Sequence, residues 1–283
     1  MIQFAVRNLK IFFRDKASVF FSLLAVFIII GMYALFLGDV WVGSMRDMKG
    51  TRFLMDSWIM AGLLSVTSVT TTMGAFGIMV EDKSKKILKD FISSPIKRSK
   101  LVGGYALGAF ATGVLMSLVT LVLAELYILT SGGEIVSMIS LLKIFGMIII
   151  STFMNTAIIF LVVSFFTSSN AFATASTIIG TIIGFLTGIY LPIGQLPEAV
   201  QWVVKLFPVS HSAALFRQIM MAEPMAATFA GAPDSVLNQF QQMMGVTLMI
   251  GDKPVNTITS LGIIFFTAIL FYGLSILLIS RKK

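Results

Sequence analysis

The stretch that decides the fold runs from residue 80 to residue 100 and reads VEDKSKKILKDFISSPIKRSK. It holds seven of the 21 Lys and Arg residues of the chain. An uncharged run, Ser57–Val80, leads into it, and another, Leu101–Ala124, follows it. Each run has the ~20 apolar residues that a helix needs to cross a bilayer. The basic stretch is therefore predicted to be a polar loop between two transmembrane helices.

The composition of the whole chain agrees with this. Of 283 residues, 57% are hydrophobic and 12% are charged, and the mean hydropathy is +0.95. A soluble domain carries about 25% charged residues. Backbone inside a bilayer must satisfy its own polar groups, and continuous apolar runs favour helices over the alternating strands of a barrel. The sequence predicts an all-α integral membrane protein.

Six uncharged runs predict six transmembrane helices. They are Val19–Leu37, Ser57–Val80, Leu101–Ala124, Ile144–Thr167, Ala171–Leu191 and Ile258–Ser280. Only residues 168–170 separate the fourth run from the fifth. Two antiparallel helices are favoured there over one kinked helix, because ~48 residues would exceed twice the membrane thickness.

The distribution of charge predicts the orientation. With six spans, the two termini share a side with residues 81–100 and 168–170, and that side carries 14 of the 21 Lys and Arg residues. Basic residues near span ends favour the cytoplasm. Both termini and the basic loop are therefore predicted to be cytoplasmic, and the segment 192–257 extracellular. The same rule explains the net charge of +8, so the excess is not a nucleic-acid signal.

Two segments on the predicted cytoplasmic side have an amphipathic pattern. Residues 1–18 place six apolar side chains on one arc of a helix, with basic residues beside it, which is typical of an interfacial helix. These six are Ile2, Ala5, Val6, Leu9, Phe12 and Phe13. The plainer alternative is that this segment only anchors the first span.

In the basic loop, residues 84–92 predict a second amphipathic helix. Its apolar side consists of Ile87, Leu88, Phe91 and Ile92. Its polar side consists of Lys85, Lys86, Lys89 and Asp90. Pro95 ends the helix, since the residue before a proline avoids the helical region. Such a helix rests on lipid or fits a groove of a partner protein.

The loop resembles the first cytoplasmic loop of the ABC type-2 permease family, the membrane subunits of ATP-driven exporters. The matching features are Glu81, Leu88, Phe91, the turn 94–98 (SPIKR), Leu101, Val102 and Gly104. Lys85 departs from the pattern, because a glycine is common there. The stretches 7–10 (RNLK) and 14–16 (RDK) resemble the family's N-terminal region. The motifs Leu191-Pro192, Leu196-Pro197, Phe207-Pro208 and Arg217 resemble its proline-punctuated outer region.

The resemblance implies one permease domain over residues 1–283, with an interfacial helix at 1–18, a cytoplasmic coupling loop at 81–100, and short outer re-entrant helices within 192–257. It implies a second permease copy (a homodimer or a close homologue) and separate ATP-binding cassette ATPase subunits, which would hold ATP and Mg. The residues implied to couple to the ATPase are Glu81, Lys85, Ile87, Leu88, Phe91, Ile92, Pro95 and Arg98.

The chain itself carries no recognisable catalytic or cofactor motif. It has no G-x-x-x-x-G-K-[ST] sequence for ATP phosphates and no cysteine, and no metal-spaced His cluster occurs. Its single histidine, His211, is expected to be a surface hydrogen-bonding residue. We therefore expect a transport subunit with no cofactor or metal of its own. An ion-gradient-coupled secondary transporter remains the alternative, and an intramembrane enzyme ranks third.

Polar and small residues inside the spans supply further candidates. Thr71, Thr152 and Asn155 are candidates for the substrate pathway, although helix packing is the plainer interpretation. Gly180, Gly184 and Gly188 recur every four residues and predict a close-packed helix face, either at a dimer interface or within one subunit. The apolar pathway with hydroxyls favours an amphipathic or lipid-like substrate, with drugs and peptides in the same range. The location expected is a prokaryotic cell membrane.

The predicted orientation can be tested by labelling, because the chain has no native cysteine. A Lys89→Cys variant should react with a membrane-impermeant maleimide only after the cells are permeabilised. An Asp234→Cys variant, on the opposite predicted side, should react in intact cells. Labelling of Lys89→Cys in intact cells would overturn the orientation.

Overall fold

A computed structural model describes residues 1–37, 43, 50–93, 96–251 and 253–281, without the side chains of residues 92, 98 and 279–281. The helices are α1 (Ile2–Arg14), α2 (Lys16–Met32), α3 (Thr51–Ser84), α4 (Ile87–Ser93), α5 (Arg98–Thr130), α6 (Met138–Val163), α7 (Ser169–Leu186), α8 (Glu198–Leu206), α9 (Pro208–Met220), α10 (Ala222–Thr228), α11 (Asp234–Met243) and α12 (Thr257–Arg281). A π-helical turn covers Tyr33–Leu37 and a 3₁₀ turn covers Ile193–Gln195. Strands β1 (Met249–Ile250) and β2 (Lys253–Pro254) pair as a small antiparallel hairpin.

The prediction of an all-α membrane protein is confirmed. Six helices are long and apolar enough to cross a membrane: Lys16–Leu35, Thr51–Ser84, Ser99–Thr130, Met138–Val163, Ser169–Leu186 and Thr257–Leu278. The chain does form two helices here, but the break is at residues 164–168, because α6 ends at Val163 and the Ser168 side chain caps α7, which begins at Ser169. The second and third spans are longer than predicted, since their helices continue into the polar residues at each end.

Helix α3 is the centre of the bundle. It packs against α5, α6, α9, α7 and α2, and α6 packs in turn against α12. In its most apolar window 78% of the residues are buried, against 22% for each of the spans α2, α7 and α12. The apolar surface of those three helices is therefore left for lipid or for another subunit.

Two helices at the N-terminus are joined through one residue, Asp15. It closes α1, and its carboxylate accepts hydrogen bonds from the backbone N–H groups of Ala17 and Ser18 at the start of α2. A carboxylate at this position also interacts favourably with the helix dipole. Ala5, Asn8 and Phe12 of α1 are buried, whereas Ile2 and Phe13 are 70% and 42% exposed. The predicted apolar arc is thus divided between the protein and the outside.

The helix of the basic loop is shorter than the predicted 84–92. Helix α3 continues to Ser84, and the chain then turns at Lys86, whose φ of 64° lies in the left-handed region. Helix α4 begins only at Ile87. The sequence offered no glycine or asparagine to mark this turn, so the break before α4 was missed.

The segment 192–257 folds into four short helices and the hairpin. The sequence pattern predicts amphipathic helices at 197–207 and 209–222, and α8 and α9 match them within a few residues. The sequence also predicts a helix at 234–250, which is too long, because α11 ends at Met243 and the hairpin follows. The expectation that His211 lies on the surface is wrong, because it is fully buried between α9 and α12.

The three glycines of the predicted close-packed face have three different surroundings. Gly188 lies beyond the end of α7, with a φ of 67°, and its N–H and that of Ile189 close the helix by bonding to the carbonyls of Phe185 and Gly184. The Tyr190 ring covers Gly184 so closely that no Cβ would fit there. Gly180 faces open space. The prediction that all three share one helix face is therefore wrong for Gly188.

We expect Gly184→Leu to lower the free energy of unfolding by about 1–3 kcal/mol, because the new side chain must displace the Tyr190 ring. Gly180→Leu on the same helix is the matched control and should fold at least as well as the natural chain, since nothing lies within 4 Å of its added Cβ. Thermal unfolding of the purified variants measures both. Equal losses at the two positions would contradict this packing.

Candidate functional site

A cluster of five side chains joins four helices at the end of the bundle that carries the basic loop. We call it the Arg7 cluster, and it consists of Phe4, Arg7, Asp82, Phe91 and Tyr105. The Arg7 guanidinium donates two hydrogen bonds to the Asp82 carboxylate, of 2.9 and 3.3 Å. The Tyr105 hydroxyl donates a third to the same carboxylate. One acidic group at the end of α3 thus receives donors from α1 and α5.

Aromatic rings extend the cluster to α4. The Phe4 ring meets the rings of Phe91 and Tyr105 edge to face, with centroids 5.1 and 4.9 Å apart. The Arg7 guanidinium carbon lies 5.2 Å from the Phe4 centroid and 5.0 Å from the Phe91 centroid. These are cation–π distances. Through Phe91, the short helix of the basic loop is therefore attached to α1.

Two glycines allow α1 to approach α5 closely enough for these contacts. An added Cβ at Gly104 would come within 2.8 Å of the Phe4 ring, and one at Gly108 within 3.1 Å of Asn8. Both glycines belong to a run, 103–108, on the first turns of α5. Their lack of a side chain creates the space in which α1 lies.

The electrostatics of the cluster favour the ion pair. Asp82 is 4% exposed, so its charge requires partners, and Arg7 and Tyr105 provide them. Partial burial lowers the pKa of Arg7, but the hydrogen bonds and charge of Asp82 raise it further, and the net shift is upward. Next to this pair, the Lys83 ammonium donates to the carbonyl of Val163 at the end of α6.

The apolar side of α4 faces its own protein. Ile87, Leu88 and Phe91 are half-buried, and Leu88 and Phe91 pack against the hydrophobic core. The exposed residues of this region include Lys85, Lys86, Lys89 and Asp90, together with Glu81, Ser84 and Ser93. Because Ile87, Leu88 and Phe91 are only half-buried, the hypothesis that the apolar side rests on lipid or fits a groove of a partner stays a prediction. The surface that remains available is mainly basic.

The other residues implied in coupling are spread around this surface. Glu81 is exposed and pairs with Lys85 one turn away, with side chains 51% and 62% exposed. Pro95 and the side chains of Ile92 and Arg98 lie outside the described residues, so their implied roles stay predictions. Asp82 was missed by sequence reasoning. The available signal was its position four residues after Ile78 and three after Met79, both on the buried face of α3.

The three pathway candidates lie in helix packing. Thr71, Thr152 and Asn155 are each no more than 1% exposed. The Thr71 hydroxyl donates to the Thr67 carbonyl at 2.6 Å, and the Asn155 amide donates to the Ser68 hydroxyl at 2.6 Å. This arrangement favours the packing interpretation, in which hydroxyls bond to carbonyls one turn back and amides bridge helices.

An open groove on another side of α3 has hydroxyls that sequence reasoning did not single out. The α2–α7 groove has a volume of about 260 Å³ and lies between α2, α3 and α7. It is lined by Ser18, Phe21, Ser22, Val69, Thr70, Met73, Gly74, Ser176, Ile179 and Gly180. Hydroxyls and apolar groups alternate along it, and no charged residue lines it. Gly180, the unobstructed member of the glycine series, belongs to its wall.

A buried cation lies near the opposite end of α3. Arg217 is completely buried, and its guanidinium carbon lies 4.7 Å from the Trp58 ring centroid. None of its nitrogens has a hydrogen-bond partner among the described residues. Burial lowers the pKa of Arg217 to about 9, so it stays charged at neutral pH. Attraction to the ring offsets only part of the cost of burying this charge.

His211 lies six residues before Arg217 on α9 and has a structural environment. Its Nε2–H donates to the Lys205 carbonyl at 2.9 Å, and its Nδ1 then accepts from the Ser260 hydroxyl at 3.1 Å. Burial lowers the pKa of His211, which keeps the ring neutral. Across the described ranges, no three His, Cys, Asp or Glu side chains come together as metal ligands.

These features define a class of protein: a multi-pass α-helical membrane protein whose basic loop is attached to its spans and which has an uncharged groove between three of them. Comparison with known families identifies it further. Residues 44–277 match the model of the ABC-2 family transporter proteins, and the chain belongs to that family. It is therefore a membrane component of an ABC transporter, a family that normally works with ATP-binding cassette subunits.

A curated relative agrees with this assignment. Nodulation protein J of Rhizobium leguminosarum bv. trifolii is 24% identical over 186 residues, which cover 66% of this chain and 68% of that protein.

We expect Asp82→Asn to lower the free energy of unfolding by about 1–3 kcal/mol, because Arg7 and Tyr105 would lose their charged acceptor. The adjacent variant Glu81→Gln is the matched control and should cost less than about 1 kcal/mol, since its ion pair with Lys85 is exposed. Thermal unfolding in detergent compares the two. Similar losses would mean that the Arg7 cluster adds no stability beyond a surface pair.

Proposed function

We propose that the chain is the permease subunit of an ATP-driven exporter in a prokaryotic cell membrane. Two copies would pair, and two separate ATPase subunits would bind on the cytoplasmic side and hold ATP and Mg. The observation that carries the proposal is the Arg7 cluster, which attaches the basic loop to several helices. Family membership supports this function over an ion-gradient-coupled carrier.

The exposed side of the basic loop is the proposed contact with the ATPase. Lys85, Lys86 and Lys89 project from it, and a surface of this charge suits an acidic patch on the partner. Ion pairs between long charged side chains in water are weak, so such contacts can break and re-form at a modest cost in free energy. The apolar residues Leu88 and Phe91 then have a different role from the one first implied: they hold α4 to the permease.

Movement at the basic loop would reach the spans through the Arg7 cluster. A push on α4 acts on Phe4 and Arg7 of α1 through Phe91, and on the ends of α3 and α5 through Asp82 and Tyr105. Helix α1 is joined to α2 by Asp15 alone. Since α2 and α3 form two walls of the α2–α7 groove, a change in their relative position would change the groove.

The α2–α7 groove is the proposed wall of the substrate pathway. Its serine and threonine hydroxyls bind polar groups, and Phe21, Val69 and Ile179 contact hydrocarbon, which suits an amphipathic or lipid-like substrate. In a pair of subunits, the exposed faces of α2 and α7 would meet or enclose the pathway. Gly180 then serves as a point of close approach for the second copy or for the substrate.

Two variants separate docking from transmission. Lys89→Glu reverses an exposed charge and should reduce co-purification of the ATPase with a tagged permease from its own host. Phe91→Ala removes the contact with Phe4 and Arg7 and should leave co-purification intact. Lys253→Glu, an equal charge reversal on the exposed hairpin, is the control and should change neither result.

The transmission of movement from the basic loop is measured at the α2–α7 groove. Thr70 lines the groove, so a Thr70→Cys variant places the chain's single thiol in the groove wall. The rate at which maleimide labels this thiol should change several-fold when ATP is added to the purified complex. Adding Phe91→Ala should abolish the ATP-dependent change while hydrolysis continues. If no ATPase co-purifies, the proposed function is wrong. If Phe91→Ala leaves the ATP-dependent change in place, the Arg7 cluster does not transmit motion.

A further inference from the structure

A second feature lies next to the Arg7 cluster, with which it shares Phe4 and Arg7. We call it the Lys97 cleft, a depression of about 470 Å³ between α1 and the start of α5. It is lined by Met1, Gln3, Phe4, Arg7, Ile96, Lys97 and Lys100. This volume falls within the range of small-molecule sites.

The cleft is positively charged. Lys97 and Lys100 are exposed, and neither makes an ion pair with any residue that the structure describes. No acidic residue lines the cleft, and the Asp82 carboxylate, which bonds to the lining residue Arg7, also accepts from Tyr105. The first turn of α5 also has no side-chain cap at Lys97, so its free N–H groups add positive potential.

The rim of the cleft is apolar. Ile96 and Met1 both line it and are 43% and 55% exposed. The uncharged run of the third span begins directly after Lys100, so the cleft lies where a spanning helix leaves the hydrocarbon. Its occupant must therefore combine a negative group with hydrocarbon.

We propose that the Lys97 cleft binds the phosphate of an anionic phospholipid, with Lys97 and Lys100 contacting the headgroup and the acyl chains lying along Met1 and Ile96. An acidic segment of a partner protein would match the charge, but it would leave the apolar rim exposed. A lipid covers both, and basic residues next to a span end attract anionic headgroups. The proposal is independent of the proposed function, since it needs neither transport nor an ATPase.

The test counts lipids that stay bound to the purified full-length chain. Nanodiscs are made with equal amounts of phosphatidylglycerol and phosphatidylcholine, and native mass spectrometry reports which lipid is retained. The natural chain should prefer phosphatidylglycerol about tenfold, because each lysine near the surface strengthens anionic-lipid binding several-fold. The double variant Lys97→Gln/Lys100→Gln should lose most of this preference.

Two further variants keep the result interpretable. Lys143→Gln/Lys253→Gln removes the same charge from the other end of the molecule and should keep the preference. Lys97→Arg/Lys100→Arg keeps the charge at the cleft and should also keep it. Equal retention of the two lipids by the natural chain would overturn the proposal. So would a Lys97→Gln/Lys100→Gln chain that keeps the preference for phosphatidylglycerol, because the two lysines would then not be what binds the lipid.

Discussion

The Asp82 carboxylate is the constraint on which the loop end of the structure depends. A buried carboxylate is tolerated only when its charge and its lone pairs are satisfied, and here Arg7 of α1 and Tyr105 of α5 satisfy them. The position of α1 follows from this requirement, because Arg7 reaches Asp82 only when α1 lies against Gly104 and Gly108. The position of α4 follows in turn, since Phe91 packs on the ring and the guanidinium that α1 presents.

The interior of the spans is polar mainly because of serine and threonine hydroxyls. Helix α3 carries many buried hydroxyls, and most of those with recorded partners bond to a carbonyl of the same helix. A serine or threonine side chain whose hydroxyl bonds to its own helix projects only a short distance, so neighbouring helices can pack closely. At Gly113 of α5 an added Cβ would lie 2.7 Å from both Thr72 and Thr152. Small and hydroxylated residues thus make the core dense without a large hydrophobic contribution, as a bilayer requires.

Much of the architecture was predictable because it depends on length and hydropathy. Six spans follow from six uncharged runs, and the division at residues 168–170 follows from membrane thickness. The face of α4 was not predictable in the same way: periodicity identified Leu88 and Phe91 as its apolar side, but not the surface that covers them. That surface is α1, which is some 80 residues away in sequence.

The remaining errors have the same physical origin. His211 is buried because α12, almost 50 residues later, packs over it and supplies Ser260. The spacing of Gly180, Gly184 and Gly188 was correct as a pattern, yet α7 ends at Leu186, so Gly188 closes the helix and does not belong to its face. Hydroxyls inside the spans could be located in sequence, but whether they face a neighbour, as Thr71 does, or a groove, as Thr70 does, depends on the rotation of α3 within the bundle.

The convergence of helices near Asp82 has a geometric consequence. Helices α3 and α5 are joined there by Asp82 and Tyr105, α6 is held by Lys83, and α2 is one residue away from α1 through Asp15. Helix α3 has 34 residues and is therefore ~50 Å long. A rotation of only ~5° about the loop end would displace its far end by ~4 Å, by simple trigonometry on that length. The length of the central helix would therefore convert a small rotation at one membrane face into a displacement of several ångströms at the other.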